Sequence, residues 1–444
     1  MNDITKLLES GLASAETGDL MYSRSRSLQI KAFRGEIASF TESADTWVAA
    51  RIFADGRLGT AFSEKVDAHS IRDAVARAGE NAAFADEDPG NRLYERSETS
   101  EFDGRRGSLT TRTTDEKKAM ALAAETTARD ADPRIVNVPY CFYYEGDGEH
   151  TIANTAGLAK SRLGGSCGCF ISVMARNGDE TQTGSEFAVA ASPDELDMDA
   201  AARIAAERAL AKLGAQEIDS GSYRVAFDNI SASELLGAFV ASPVSPFYGE
   251  NIQKGRSMLA GKLGEQIGSE LFTVADDPTR GLNPVSFDGD GVDATPLTLV
   301  DRGTFAAIVH TVYSASREEG ATTTGHASRS RGGVSTGLHH PYLENGAGSL
   351  DSLLETMGDG LLVTEMAGLH AGLNPVTGDF SLSAKGFLVA AGKRVQPVTN
   401  IVVAGNFFEL ASGLVAKAGD VRVDTRGGFD APSILIEKLS VSGR

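Results

Sequence analysis

The histidines are the residues of this chain that could most directly hold a transition metal or move a proton. No two of the seven have the His-x3-His spacing that places a pair of imidazoles on one face of a helix. They are His69, His150, His310, His326, His339, His340 and His370. His339 and His340 are adjacent, so on a strand their side chains would point to opposite faces. We therefore expect these two to be loop residues rather than metal ligands.

The cysteines indicate neither a disulfide framework nor a soft-metal site. Cys167 and Cys169 are separated by one glycine, which would place both sulfur atoms on the same face of a strand. A metal or redox role would need further soft ligands nearby, and the spacing supplies none. We predict a buried pair on a strand. With Cys141 the count is three, which argues against a secreted, disulfide-stapled protein.

Two short motifs resemble known sites but lack the features that those sites need. FDGDGVD (287–293) places Asp288, Asp290 and Asp293 in a turn, without the pattern and closing glutamate of a calcium loop. GVSTG (333–337) centres on Ser335, but a nucleophile elbow needs a strand before it and a helix after it. Pro341 and the absence of a helical stripe argue against that helix. We interpret the first motif as turn chemistry and the second as a chance match.

The periodicity of apolar residues predicts an α+β protein. Helices are expected at 4–13, 67–84, 115–130 and 198–213, with alternating strand-like runs between them and a hairpin turn at 54–56. Residues 86–114 are polar and rich in Gly, Ser and Thr, so we expect a linker or a long surface excursion there. From residue 221 onward most segments alternate or are β-branched. The predicted organisation is two small α+β units, 1–88 and 110–215, followed by a β-rich domain, 221–444.

The balance of charge limits the possible partners. The chain has 42 basic and 61 acidic residues, a formal net charge of −19, which disfavours contact with nucleic-acid phosphates. No segment reaches the roughly 18 apolar residues of a membrane span, and the N-terminus has no signal-peptide pattern. We expect a cytoplasmic protein that binds neither nucleic acid nor a membrane.

A set of motifs in the C-terminal half occurs in an order that resembles the TldD/PmbA family, specifically its PmbA (TldE) branch. The motifs follow one another at plausible separations: KGRSMLAGKLGE (254–265), DDP (276–278), FDGDGV (287–292), TTTGHASR (322–329), NPVTGDFSLSAKG (374–386), IVVAGNFFEL (401–410) and PSILIEKLSVSG (432–443). The resemblance covers nearly the whole chain. It implies a barrel-like C-terminal domain and a two-subunit metalloprotease that acts on unfolded or small, modified peptides.

The resemblance also implies a zinc site that this chain does not reproduce. In the TldD branch, zinc is held by a His-Glu-x-x-x-His helix and a cysteine close to the C-terminus. Here the corresponding helix begins at DNISASELLGAF (228–239), where Ser231 and Glu234 have capping-box spacing, and it carries no histidine. The segment VDTRGGFDAPSI (423–434) carries no cysteine. We expect no catalytic residue, no metal and no cofactor in this chain, and zinc in a TldD-like partner.

The remaining candidate for substrate contact is a loop after a strand, TTTGHASRSRGG (322–333). Its main-chain amides could pair with an extended peptide by strand addition. We name Thr324, Gly325, His326 and Arg329 as the predicted peptide-binding residues. An ordinary long loop, with His326 as a hydrogen-bonded turn residue, is at least as good an interpretation.

Two functional alternatives from other classes stay open. One is a self-contained, metal-free, peptide-binding homodimer. The other is a hydrolase with an unrecognised non-metal site, built on carboxylates or on Ser335.

Overall fold

The structure, a computed structural model, describes residues 3–424 and 428–444. Its N-terminal half alternates helices and long strands. In chain order the elements are α1 (Asp3–Leu12), β1 (Gly18–Phe33), β2 (Glu36–Ala54), β3 (Arg57–Ser63), α2 (Ala68–Ala82), β4 (Thr99–Asp103), α3 (Thr114–Asp130), β5 (Ile135–Asn154), β6 (Ala159–Asn177), β7 (Glu180–Ala190) and α4 (Met198–Ala211).

The C-terminal half is dominated by strands. Its elements are β8 (Gly221–Phe227), α5 (Asn229–Val240), α6 (Gly249–Gln253), β9 (Val274–Asp276), β10 (Leu297–Asp301), β11 (Thr304–Phe305), α7 (Val312–Ser316), β12 (Ala327–Ser330), β13 (Gly333–Thr336), β14 (Pro341–Leu343), α8 (Leu350–Met357), β15 (Gly360–Ala367), β16 (Asp379–Ala390), β17 (Lys393–Asn406), α9 (Phe407–Ser412), β18 (Leu414–Lys417) and β19 (Ile434–Ser442).

One seven-stranded sheet runs through both predicted N-terminal units. Its strand order is β3-β2-β1-β5-β6-β4, and β7 also pairs with β6. The join is the antiparallel β1–β5 ladder, which extends from Asp19 opposite Asn154 to Lys31 opposite Phe142. Helix α2 packs on β2 and β3, and α1 packs beside it on β5 and β1. Helix α3 packs on β5 and β1, and α4 packs beside it on β6 and β7. The two units therefore share a single hydrogen-bonded sheet.

Local chemistry explains several of the N-terminal elements. The predicted turn between β2 and β3 is present, with positive φ at Asp55 and Gly56, as a tight hairpin with the twist of its strands requires. Helix α3 begins with a capping box in which Thr113 and Glu116 satisfy each other's amides. The predicted linker 86–114 is wrong in one part, because residues 99–103 form β4 and pair in parallel with β6.

The C-terminal domain contains a closed barrel of five strands. The order β17-β16-β15-β8-β19 closes because β17 also pairs with β19, and β18 extends from β19. Closure leaves these five strands without a free edge. A four-stranded sheet (β11-β10-β9-β14) and the hairpin β12–β13 lie outside the barrel. The expected α+β fold with a barrel-like C-terminal domain is confirmed.

Helix α5 begins differently from the prediction. Its N-cap is Asp228, whose side chain accepts a hydrogen bond from the amide of Ser231, so the predicted Ser231–Glu234 capping box is wrong. An aspartate at the N-cap satisfies an orphan amide as well as a serine does. Burial raises the pKa of Asp228, although the Ser231 amide bonds to it and acts in the opposite direction. The apolar side chains of this helix, Leu235, Leu236, Phe239 and Val240, are buried.

A buried network of charges joins the N-terminal sheet to the C-terminal domain. Arg51 of β2 bonds to Asp19 of β1 through Nη2 at 2.5 Å and to Asp290 through Nη1 at 2.8 Å. Arg329 of β12 reaches the same Asp19 at 2.5 Å. Burial alone would raise the pKa of Asp19, but the two guanidinium groups hold it below its ordinary value.

Within the described residues, no helix combines the length and apolar character needed to cross a bilayer.

Candidate functional site

A cavity of about 300 Å³ lies between the N-terminal sheet and the first turns of α5. Strands β6 and β7 and helix α4 contribute one side of it, and α5 and the segment 422–424 contribute the other. Its lining combines apolar and charged side chains: Phe170, Ser185, Phe187, Ala188, Val189, Arg208, Ile230, Ser233, Glu234, Arg422, Val423 and Asp424. A concave, mostly apolar pocket with a few converging polar groups is the usual form of a ligand site.

The strand register explains the apolar wall. Phe170 lies opposite Phe187 in the β6–β7 ladder, so both rings project from the same face of the sheet. The alternate residues of β6, among them Cys169 and Ile171, point to the other face and are buried under α3 and α4. The two rings therefore lie on the sheet face that does not carry those helices, whereas Arg208 of α4 also contributes to the lining of the cavity.

Two arginines share one buried glutamate beside the cavity. Arg208 of α4 and Arg422 both pair with Glu186 of β7, whose side chain is 3% exposed. Arg422 makes its contact at 2.5 Å, and the same Nη2 also donates to the carbonyl of Phe187 at 2.6 Å. The group of three carries one net positive charge.

The carboxylate of Asp424 contacts the loop formed by residues 281–283. One oxygen accepts the amide of Leu282 at 2.7 Å, and the other lies 3.6 Å from Nδ1 of His340. His340 in turn contacts the carbonyl of Asn283 through Nε2 at 3.1 Å. Asp424 is therefore already bonded by protein groups.

A second cluster brings together Asp276, His326 and His339. Asp276 bonds to Nε2 of His326 at 3.0 Å and also accepts the amides of His339 and His340 at 3.0 and 2.8 Å. The two imidazole rings stack with their centroids 5.0 Å apart. Burial raises the pKa of Asp276, but the hydrogen bond from His326, the two neighbouring imidazoles and the His339 amide together bring the net pKa below its ordinary value. Burial lowers the pKa of His339 to about 4.

Among residues 3–424 and 428–444, this cluster is the one place where three or more ligand atoms from histidine, cysteine or carboxylate side chains lie within 4.8 Å of one another. The donor types would suit a transition metal. However, both ring nitrogens of His326 already have partners, because Nε2 is bonded to Asp276 and Nδ1 is bonded to Thr324 at 2.9 Å. Nε2 of His339 is bonded to the carbonyl of Gly325 at 2.7 Å. The hydrogen bonds therefore satisfy the cluster without an ion, which favours a structural role.

Three models of one family match consecutive parts of the chain. They are described as PmbA/TldA metallopeptidase domain 1 at residues 18–82, the central domain at 107–213 and the C-terminal domain at 220–443. The chain belongs to the PmbA/TldD metallopeptidase family. The resemblance inferred from the motif order is thus confirmed.

Individual relatives agree. The chain is 30% identical over 332 residues to a protein of Haemophilus influenzae named "Metalloprotease PmbA homolog", covering 74% of this chain and 70% of that protein. It is 24% identical to "Metalloprotease PmbA" of Escherichia coli O157:H7, covering 99% and 95%.

Solved structures share the fold. A Thermotoga maritima protein described as a putative modulator of a DNA gyrase is 27% identical, with a TM-score of 0.90 and coverage of 98% and 99%. TldE of Thermococcus kodakarensis has a TM-score of 0.87 at 22% identity, covering 99% of each chain, and so supports the fold alone.

The α5 cavity does not offer the donors expected of a zinc site in this metallopeptidase family. Among its described lining residues, the side chains that could bind a cation are those of Ser185, Ser233, Glu234 and Asp424, which offer only oxygen, with no imidazole or thiolate. Structural and catalytic zinc sites are built from nitrogen and sulfur ligands with at most one or two carboxylates. The residues present do not fit a zinc ion. Part of the predicted C-terminal counterpart, residues 425–427, lies outside the described residues.

The predicted peptide-binding residues are divided between two places. Thr324, Gly325 and His326 belong to the Asp276 network, and the His326 side chain is fully buried. Arg329 is directed to Asp19 and to the carbonyl of Ala49, with 1% of its side chain exposed. None of the four lines the α5 cavity. Their role in peptide binding stays a prediction.

The other motifs adopt the conformations expected of them. Asp288 accepts the amides of Asp290 and Val292 at 2.9 Å each, which is turn chemistry. Burial, and then the neighbouring Asp290, raises the pKa of Asp288 to about 7. Ser335 lies in the hairpin strand β13 rather than at a strand-to-helix elbow. The cysteines are buried and unpaired.

Sequence reasoning missed the arginine pair and its glutamate. In the sequence, Arg208 is one of several charged residues on an alanine-rich helix, and Arg422 lies in a segment without a helical or strand-like pattern of apolar residues. The contact of Arg422 with the Phe187 carbonyl spans 235 residues. A weak signal was available, because Arg422 lies just before the segment that corresponds to the family's metal-binding cysteine.

Proposed function

We propose that this chain is the TldE/PmbA-like, non-catalytic subunit of a cytosolic zinc metalloprotease that acts on unfolded or small, modified peptides. A TldD-like subunit carries the zinc and cleaves, and this chain holds part of the peptide. The observation that carries the proposal is the α5 cavity. It keeps Glu234 and apolar walls, but its described lining has oxygen donors where zinc needs nitrogen and sulfur.

The physical argument concerns the division of labour. Glu234 could act as a base, but a general base does not activate water for amide hydrolysis efficiently without an electrophile. The residues of this cavity do not hold that electrophile. Apolar walls and charged groups still suffice to bind a peptide. The chain therefore retains the binding function and depends on a second subunit for the chemistry.

The test compares the chain alone with the assembled complex. The purified chain should contain less than about one tenth of an equivalent of zinc by mass spectrometry and should not cleave a quenched fluorescent peptide. Adding the TldD-like subunit should restore cleavage, and a chelator should abolish it. Glu234→Gln in this chain should leave the kcat of cleavage by the complex unchanged and affect at most its KM, whereas substitution of the partner's own glutamate should remove cleavage.

Peptide cleavage by the isolated chain would refute the proposal. If a chelator stopped that cleavage, this chain would carry its own metal site, for which the Asp276 cluster is the first place to look. If Ser335→Ala stopped it, the serine hydrolase would be the correct reading. Peptide binding by an isolated homodimer, with no gain on adding the TldD-like subunit, would favour the metal-free binding module.

A further inference from the structure

The pair of guanidinium groups beside the α5 cavity has unused hydrogen-bonding capacity. Arg208 contacts Glu186 and the Ser185 carbonyl through Nη1, and Arg422 contacts Glu186 and the Phe187 carbonyl through Nη2. Each arginine has five N–H donors. Within the part of the chain that the structure describes, these contacts use only one nitrogen of each arginine.

The exposure of the two arginines is consistent with a second partner. The side chain of Glu186 is 3% exposed, whereas those of Arg208 and Arg422 are 36% and 34% exposed. A buried glutamate thus holds two guanidinium groups in place, and both arginines line the cavity. Held in this way, the arginines lose little conformational entropy when a ligand binds.

The guanidinium pair favours an anion at its own end of the cavity. Arg208, Arg422 and Glu186 together carry one net positive charge. The lining also includes the carboxylates of Glu234 and Asp424, but both are already engaged by other protein groups. Planar guanidinium groups match the geometry of a carboxylate, which they bind through two parallel hydrogen bonds.

The rest of the lining indicates what accompanies the anion. Phe170, Phe187, Val189 and Ile230 provide an apolar surface next to the arginines. A volume of about 300 Å³ is at the small end for ligand sites, so it accommodates one or two amino-acid residues rather than a whole peptide. The ligand that fits is an apolar residue with a carboxylate beside it.

We propose that the α5 cavity binds the C-terminal residue of a peptide, with the α-carboxylate on Arg208 and Arg422 and the apolar side chain against Phe170 and Phe187. This inference rests on the proposed function, since it specifies which end of the peptide this chain holds. A side-chain carboxylate of Asp or Glu has the same chemistry, so the experiment separates the two sources.

The experiment measures binding of three fluorescein-labelled hexapeptides to the full chain by fluorescence anisotropy. The first ends in leucine with a free carboxylate, the second in leucine amide, and the third in glutamate amide. Charge-assisted hydrogen bonds are strong enough that the first peptide should bind about tenfold to a hundredfold more tightly than the second. Arg422→Ala should reduce that preference to less than about threefold.

The matched control is Arg302→Ala, which removes the same charge from a surface arginine that is 70% exposed and pairs with Glu270 at 3.2 Å. It should leave the preference unchanged. Arg422→Lys keeps a cation for Glu186 but loses the planar fork, so it should retain only part of the preference. Arg422→Lys also tests the proposed carboxylate site if Arg422→Ala does not fold.

Equal binding of the acid and the amide by the wild-type chain would overturn the inference, as would a full preference in Arg422→Ala. Binding of the glutamate amide as tightly as the free acid would overturn the assignment to the C-terminus. The proposed function is tested separately, by cleavage of the acid and amide peptides in the assembled complex. Equal cleavage of both would leave that function standing and remove only the carboxylate site, whereas absence of cleavage would remove the function itself.

Discussion

The substitution Arg329→Met tests whether the buried charge network holds the two halves of the molecule together. Arg329 is 1% exposed and bonds to Asp19, which is also 1% exposed and lies 310 residues away in the sequence. Without Arg329, the carboxylates of Asp19 and Asp290 share the single guanidinium of Arg51. The network changes from neutral to a net charge of −1 in a region with little solvent.

The magnitude follows from burial. Removing one partner of a buried ion pair costs about 3–5 kcal/mol, because it leaves a charge without compensation. Asp19 still has Arg51, bonded at 2.5 Å, so we expect about 3 kcal/mol, the lower end of that range. Burial lowers the pKa of Arg329 to about 10, which still leaves the guanidinium charged at neutral pH.

Urea unfolding at pH 7.5, followed by circular dichroism, measures the change. The control is Arg331→Met, two residues away on the same hairpin, whose side chain is 33% exposed and pairs with Glu64 at 3.1 Å. It should cost no more than about 1 kcal/mol, as exposed pairs do. The double variant Asp19→Asn with Arg329→Met restores neutrality and should recover about 1–2 kcal/mol of the loss. Equal costs for the two single variants would refute this account of the network.

Three further predictions follow from buried groups and close contacts. The folded-state pKa of His339 is about 4 and the unfolded value about 6.5, so the stability present above pH 6.5 should fall as the pH drops towards 4. We expect a loss of roughly 2 kcal/mol by pH 5 in urea titrations, and a smaller loss in His339→Gln. A Cβ on Gly59 would lie 1.9 Å from the carbonyl oxygen of Ala78, so Gly59→Ala should lower the unfolding free energy by about 3 kcal/mol. Gly79 lies on the facing helix, and a Cβ there would meet open space, so Gly79→Ala should instead raise the unfolding free energy by about 0.5–1 kcal/mol. Thermal melts of the two variants check the contrast. Burial raises the thiol pKa values of Cys141, Cys167 and Cys169 to about 11–12. Ellman's reagent at pH 8 should therefore react with them only after denaturant is added. Rapid reaction in the native state would show that the thiols are accessible.

The sequence predicted elements whose signals are local. Helix α3 was expected because the segment 115–130 is rich in alanine, which favours a helix, and the β2–β3 turn because Asp55 and Gly56 lie between two strand-like runs. The motif order predicted the family and, through it, the barrel. Strand β4 was missed because residues 99–103 are polar, and the strand depends on pairing with β6 rather than on its own composition.

The candidate site was predictable only in part. The position of α5 and its lack of histidine were visible in the sequence, but the residues that complete the cavity were not. Arg422 meets Glu186 through the packing of a C-terminal segment on β7, and nothing local in either segment indicates that contact. His326 and His339 likewise have no metal-site spacing, and they stack because the hairpin β12–β13 folds the chain back between them. Contacts of this kind depend on tertiary structure rather than on sequence periodicity.

The β1–β5 ladder has a consequence for how the protein is made. The amide of Gly18 bonds to Thr155, 137 residues further along the chain. A ribosome adding about 5–20 residues per second needs on the order of ten seconds to translate that stretch. Throughout that interval the nascent β1–β2 hairpin has no partner on its β5 side. The segment that matches the first family model therefore completes its sheet only after nearly half of the second has been translated.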